Sequence, residues 1–278
     1  MAEYKLLAAD MDGTLLNDES AVTERTKAAL AAAVNAGVLF VASTGRPMLG
    51  AEDINALFSE DLPFVVFNGA MALMGKSKRI LFLKPLRFEY VKEIYSLGVN
   101  RDISVILWTK ERLFVSRDCE ETQDYRKITG AKMQVLEDIN AFEAKDVCKL
   151  LWISTPEGAA RYQIEMNARF GGAVNCHTSR PHFLEFVDAG ASKALALDAI
   201  GAAFGIDKSE MIAVGDSYND VSMLEYAGLS VAMQNAPDDI KKLCDTVTLS
   251  NNGDGVAAVI DKYILKNIED LTNAKQKI

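Results

Sequence analysis

Residues 4–10, YKLLAAD, form an apolar run with no period-two alternation. A short unalternating run fits a strand covered on both faces, as in a parallel sheet. TERTKAALAAAVNAG (23–37) then carries helix signals: Thr23 to cap the first turn, alanine and leucine through the interior, and Gly37 to end it. VLFVAS (38–43) returns to strand, RPMLGAEDINALF (46–58) predicts a second helix, and FVVFN (64–68) a third strand. This alternation predicts a parallel sheet with right-handed crossovers and helices on its faces.

The rhythm breaks near residue 70. MALMGKSKRILFL (71–83) reads as two strands joined by a Gly-Lys-Ser-Lys turn. Beyond it come a helix at about 87–98, strands ISVILW and RLFVS, a helix near 119–128, and strands KMQVL and CKLLWIS. The helix PEGAARYQIEMNARFG and strands AVNCH and HFLEFV come next. Strands that succeed one another without helices between them belong to antiparallel α+β units. From residue 190 the first rhythm resumes with SKALALDAIGAAFG, MIAVGD, DVSMLEYAG, LSVAM, PDDIKKLC, TVTLS and GVAAVIDKYIL. The expected fold class is therefore α/β: a Rossmann-like parallel-sheet core split into residues 1–83 and 188–278, with an α+β domain inserted at 84–187. Ligands of open parallel sheets bind outside the carboxyl ends of the strands, so the insertion is expected to act as a lid, or cap.

Composition narrows the function more than the fold. The 278 residues are 49% hydrophobic and 25% charged, enough to build a sizeable core. A net charge of -9 disfavours a nucleic-acid surface, which needs a basic stripe. No apolar run is long enough to span a bilayer, and the first residues lack the pattern of a secretory leader. Cys119, Cys148, Cys176 and Cys244 are widely spaced and form no CxxC, favouring reduced thiols over a disulfide framework or a metal cluster. A cytoplasmic location is expected, with no nucleic-acid or membrane partner and nothing that requires an obligate protein partner.

Candidate chemistry collects at strand ends. Asp10 and Asp12 leave the first predicted strand one residue apart, in DMDGT. Carboxylates that close repel, and burying either one unpaired is costly. VASTGRP brings Ser43, Thr44 and Gly45 to the end of the second strand, and MIAVGDSYND brings Asp216, Asn219 and Asp220 to another. Lys193, in ASK, stands in the first turn of the helix that succeeds the insertion. Taken singly, DMD and TGR are ordinary turns and Ser192 is an N-cap, while GDSYND runs on into VSMLE without EF-hand spacing. Their co-occurrence, in order, at three strand ends of one alternating domain points to a site. Carboxylates without His or Cys suit a hard dication, Mg²⁺ in preference to Zn²⁺. Backbone amides at strand–helix turns, a hydroxyl and a lysine suit a phosphoryl group, and an aspartate can attack phosphorus.

With these motifs the chain resembles, over nearly its whole length, the haloacid dehalogenase-like (HAD) phosphatase superfamily and its Cof-type hydrolases. DMDGTLL is similar to the first motif, STGRP to the second, the lysine of ASK to the third and GDSYND to the fourth. FNGA (67–70) and VAMQNAPDDIK (231–241) also resemble stretches of Cof-type members. The resemblance implies a Mg²⁺-dependent phosphatase of small phosphomonoesters, sugar phosphates or related metabolites, that works through an aspartyl-phosphate. It implies Asp10 as nucleophile and metal ligand, and Asp12 as general acid and then base, with its backbone carbonyl on the metal. Asp216 would complete the protein's metal ligands, while Asp220 would orient Lys193 or a metal-bound water. Phosphate binding would fall to the amides of Met11 and Gly45, the hydroxyl of Thr44, Lys193 and Asn219. Many relatives have alanine in place of Ser43, so either Ser43 or Thr44 could supply the hydroxyl, with the TGR match favouring Thr44. Gln234 replaces the commoner glycine beside Asn235. The alternative on the same scaffold is a phosphomutase or a metabolite-binding protein without turnover. In the insertion, His177, His182, Trp108 and Trp152 are expected to be structural or exposed. Arg180 could reach a substrate's polar part, and Arg46 fits an ordinary salt bridge equally well.

Overall fold

In the computed structural model, which describes residues 4–265, the chain forms two compact units. One takes the chain up to Phe82 and again from Ser192; the other is Leu83–Ala191. The first stretch contributes β1 (Leu6–Asp10), α1 (Glu24–Asn35), β2 (Leu39–Ser43), α2 (Glu52–Asn55), β3 (Pro63–Val66), β4 (Met71–Met74) and β5 (Ile80–Leu83). Then come α3 (Phe88–Asn100), β6 (Ser104–Thr109), β7 (Leu113–Val115), α4 (Glu120–Thr129), β8 (Met133–Val135), β9 (Val147–Ile153), α5 (Pro156–Phe170), β10 (Val174–Arg180) and β11 (Phe183–Asp188). The return brings α6 (Lys193–Phe204), β12 (Met211–Gly215), α7 (Val221–Tyr226), β13 (Leu229–Ala232), α8 (Asp238–Leu243), β14 (Thr246–Val247) and α9 (Gly255–Ile260).

The first unit is built on an eight-stranded sheet in the order β14-β13-β12-β1-β2-β3-β4-β5. Pairing from β14 to β3 is parallel, and β3 pairs antiparallel with β4. Every residue of β1 is buried, as its unalternating apolar run requires. Leu6 and Ala8 share a cluster with Val41, Ala213, Leu197 and Ile200, so α6 covers that face. On α1, Thr26, Ala29, Leu30 and Ala33 turn inward at helical spacing, and the Thr23 hydroxyl caps the helix by accepting from the amide of Thr26 at 3.1 Å.

The second unit has a six-stranded sheet, β10-β11-β9-β6-β7-β8. Val105 and Leu107 of β6, Leu150 and Trp152 of β9 and Phe186 of β11 pack with Val91 and Ile94 of α3 and Met166 of α5. Alternation turns Trp108 to the opposite face, where its indole N–H donates to the Tyr125 hydroxyl of α4 at 2.9 Å.

Four local expectations give way to the structure. The segment 46–58 is not one helix but a 3₁₀ turn, Met48–Ala51, succeeded by the four-residue α2. Pro47 holds its predecessor away from helical backbone, and Gly50 weakens the next turn. The inserted sheet is not wholly antiparallel: β7 and β8 are parallel, because the intervening α4 makes a crossover connection. TVTLS yields only the two residues of β14, and GVAAVIDKYIL ends in a π-helical turn, Asp261–Leu265. All four cysteines are free, and no helix among the described residues is long and apolar enough to cross a membrane.

Candidate active site

Because β1, β2 and β12 run parallel as neighbours, their carboxyl ends lie along one edge, with Asp10 in register with Ser43 and Ala9 with Val214. Lys193 occupies the centre of that edge, fully buried. Ser192 caps α6 by accepting from the amide of Leu195 at 3.2 Å, which makes Lys193 the first residue of the helix. Its Nζ donates to Asp10 Oδ1 at 2.6 Å, Asp220 Oδ1 at 2.6 Å and the Ser43 carbonyl at 3.1 Å. Three ammonium hydrogens thus meet three acceptors. Burial and a helix N-terminus both work against this charge, yet the two carboxylates outweigh them and hold the Lys193 pKa above its ordinary value.

The carboxylates outnumber what Lys193 can neutralise. Burial, with the Asp220 charge nearby, pushes Asp10 well above the usual carboxylate range despite Lys193. Burial also pushes Asp216 up to about 6, against the pull of a hydrogen bond from the Thr14 hydroxyl to its Oδ1 at 2.8 Å. Oxygens of Asp10, Asp216 and Asp220 lie within 4.8 Å of one another. Asp220 has none to spare. Its Oδ1 takes Lys193 and its Oδ2 takes the amides of Asp216 and Ser217, each at 3.0 Å. Asp10 and Asp216 each keep an oxygen that accepts no hydrogen bond among the described residues. Gly13, at φ +82°, passes so close that a Cβ there would stand 2.6 Å from Asp216 Oδ2. Only glycine fits both that backbone and that approach.

Asp12 stands apart from the buried cluster. It is exposed, and Arg46 grips it with a two-pronged fork, Nε to Oδ2 at 2.9 Å and Nη2 to Oδ1. Thr44 is buried and its Oγ1 accepts from the amide of Arg46 at 3.1 Å. Gly45 lies against Asn68, whose Oδ1 would be 2.7 Å from a Cβ at that glycine. The same Oδ1 accepts from Asn219 Nδ2 at 3.1 Å. Met11 is buried at the turn, its carbonyl accepting from the amide of Leu16 at 2.8 Å. The residues singled out in the sequence therefore gather at one sheet edge. Three without a role assigned from sequence join them: Thr14, Asn68, and Asn235, whose Nδ2 donates to the Gly13 carbonyl at 2.8 Å. FNGA marks Asn68 as part of a motif, and MQN marks Asn235; Thr14 is marked only by its place in DMDGT.

The family described as haloacid dehalogenase-like hydrolase is matched over residues 7–260. The chain belongs to that family. A Bacillus subtilis protein named "Putative phosphatase YxeH" is 31% identical over 94% of this chain and 99% of its own. The 5-amino-6-(5-phospho-D-ribitylamino)uracil phosphatase YwtE of the same organism is 28% identical over 94% of this chain and 98% of its own. A haloacid dehalogenase-like hydrolase from Bacteroides thetaiotaomicron, of known structure, matches with a TM-score of 0.84 at 28% identity, covering 93% of this chain and 99% of that one. Kinship with phosphatases along the whole length makes this HAD-like chain a phosphoric monoester hydrolase.

The candidate residues of the second unit have structural partners. His182 Nδ1 donates to the Ser154 carbonyl at 3.0 Å, and Trp152 belongs to the apolar cluster. His177 lies 3.8 Å from Glu185, which forms a buried ion pair with Lys149 at 2.9 Å. Arg180 is exposed and lies over the Phe183 ring. In the HAD-like core, the Ser43 hydroxyl is buried with no hydrogen-bond partner among the described residues, a cost of about 1–3 kcal/mol for such a group. Ser43→Ala is accordingly expected to raise the melting temperature by roughly 2 °C in a thermal denaturation series. A fall of that size would show that the hydroxyl has a partner after all.

Proposed function

We propose that the chain is a Mg²⁺-dependent phosphatase that hydrolyses a small phosphomonoester through an aspartyl-phosphate on Asp10. The observation that carries this reading is the state of Asp10: buried at the end of β1, held by one oxygen on Lys193, with the other accepting no hydrogen bond among the described residues. An oxygen so placed is a nucleophile awaiting an electrophile.

The residues fit a hard cation. The donors are all oxygen, Gly13 leaves room beside Asp216 that a side chain would fill, and Asp10, Asp216 and Asp220 place three carboxylates around the single ammonium of Lys193. Asp10, Asp216 and the Asp12 carbonyl would hold the ion, while Asp220 remains committed to Lys193 and the turn amides. Bound there, Mg²⁺ would draw charge from the phosphoryl oxygens as the ester bond breaks.

Asp10 forms a bond to phosphorus as the bond from phosphorus to the leaving oxygen breaks, and Asp12 gives that oxygen a proton. Asp12 then takes a proton from water as the water attacks the phosphorus of the acyl phosphate, releasing phosphate and restoring Asp10. The water's proton replaces the one given to the leaving oxygen, and the fork by which Arg46 holds both Asp12 oxygens opens for Asp12 to act as the acid. Thr44, the amides of Met11 and Gly45, Lys193 and Asn219 form the cradle for the phosphoryl oxygens. Leu83–Ala191 serves as the cap that excludes water and sorts leaving groups. Sugar phosphates and related metabolites are the substrate class, a reading supported by the ribitylaminouracil phosphate named for YwtE.

Release of inorganic phosphate from a panel of phosphorylated metabolites tests the reading. Activity is expected with Mg²⁺, is abolished by chelator, and falls at least 10³-fold in Asp10→Asn, in line with loss of a catalytic group. Activity that survives both treatments would contradict it. The metal site has its own readout in thermal stability. With a raised pKa, Asp216 favours the folded state most when protonated, so without metal its contribution is lost as pH rises through about 6. Mg²⁺ is expected to raise the melting temperature above pH 7, an effect that fades below pH 6 as protons displace the ion. A stabilisation independent of pH would point to a different site.

A further inference from the structure

Phe67, Asn68 and Gly69 succeed one another with φ of +54°, +55° and +93°. Left-handed backbone is ordinary for glycine, tolerated by asparagine and strained for phenylalanine, at roughly 1–3 kcal/mol for a residue so held. All three residues are buried. A connection that merely joined β3 to β4 could be made by a short glycine turn without this strain, so the conformation is maintained by what it touches.

Its contacts reach the second, third and fourth motif segments together. The amides of Phe67 and Asn68 donate to the carbonyls of Arg46 and Thr44, each at 3.1 Å, which pins the backbone on both sides of Gly45. Gly69 runs against the entry to α6, where a Cβ would come within 2.1 Å of the Ser192 carbonyl carbon. Between these anchors the Asn68 side chain meets Asn219 and fills the space beside Gly45.

We propose that Asn68 is a positioning residue for phosphate, acting through Asn219. The carboxamide of Asn219 is held from both ends. Its oxygen accepts from the Ser217 hydroxyl, and one of its two Nδ2 hydrogens goes to Asn68 Oδ1. These bonds determine which end is oxygen and which is nitrogen, and so aim the second hydrogen in one direction. Asn219 is exposed, so that hydrogen is presented to a ligand rather than to the core. Without Asn68 the carboxamide can rotate and no longer offers a pre-aimed donor. The proposal rests on the phosphatase reading and refines it: the FNG turn is part of the phosphate cradle although it touches no phosphate oxygen.

The test compares Asn68→Gly, which tolerates the left-handed backbone, with Asn219→Ala and the double variant. Readouts are the inhibition constant of inorganic phosphate, KM and kcat. Asn68→Gly is expected to raise the inhibition constant and KM about tenfold with a smaller change in kcat, Asn219→Ala to do the same, and the double variant to be no worse than Asn219→Ala alone. A folded Asn68→Gly with an unchanged phosphate inhibition constant overturns the proposal, as do effects that multiply in the double variant. A merely structural role would lower the melting temperature and leave the inhibition constant alone. Should Asn68→Gly fail to fold, Asn68→Ala answers instead. It removes the acceptor for Asn219 and adds no charge, and the constant is expected to rise about tenfold; an unchanged constant overturns the proposal. The wild-type arm separates the two claims. A wild type that hydrolyses no ester and shows no binding of inorganic phosphate by calorimetry fails the phosphatase reading, and this inference falls with it.

Discussion

The burial of one ammonium group governs this site. Lys193 lies among Asp10, Asp220 and the Ser43 carbonyl with no exposure of its side chain, so its removal would leave two buried carboxylates without their shared cation. Removing one partner of such a buried pair typically costs about 3–5 kcal/mol. The constraint reaches across the chain. Lys193 is the second residue after the insertion ends, and its partners lie on β1, on β2 and in the turn after β12. The two halves of the core, separated in sequence by Leu83–Ala191, are thereby joined at the candidate site.

The same interaction leaves the site short of positive charge. Asp12 pairs with Arg46, which leaves Lys193 as the cation among the described residues that faces Asp10 and Asp220, with Asp216 beside them. Burial raises the pKa values of Asp10 and Asp216, and the neighbouring Asp220 charge adds to that rise. A hard dication would relieve the shortage, and a phosphoryl group would then enter a site whose charge is near balance. Structural economy points the same way. Asp220 commits both oxygens to Lys193 and the turn amides, so it holds the arrangement in place while Asp10 and Asp216 keep oxygen available for chemistry.

Much of this is legible along the chain because it rests on local pattern. YKLLAAD suits a doubly covered strand, the parallel rhythm puts DMDGT, STGRP and GDSYND at strand ends, and Ser192 as an N-cap sets Lys193 in the first turn beside them. What escapes the sequence depends on partners distant along it. The fork between Arg46 and Asp12 links residues 34 positions apart, and Asn68 meets Asn219 across 151. Nothing in FNGA announces that Phe67 adopts a left-handed backbone, since that strain is held by the carbonyls of Thr44 and Arg46. The loss of the helix expected at 46–58 has a local cause, Pro47 and Gly50, that apolar periodicity masks. The parallel pairing of β7 with β8 is a consequence of α4, which the sequence already shows.

In the proposed mechanism Asp10 carries the phosphoryl group in a covalent intermediate. Enzyme mixed with a turned-over phosphomonoester and quenched into borohydride, then digested and sequenced by mass spectrometry, tests it directly, because reduction converts an aspartyl-phosphate to homoserine. Homoserine is expected at position 10, dependent on substrate and absent from Asp10→Asn. Homoserine at position 12 or 216, or none at any position from an enzyme that is releasing phosphate, would contradict it.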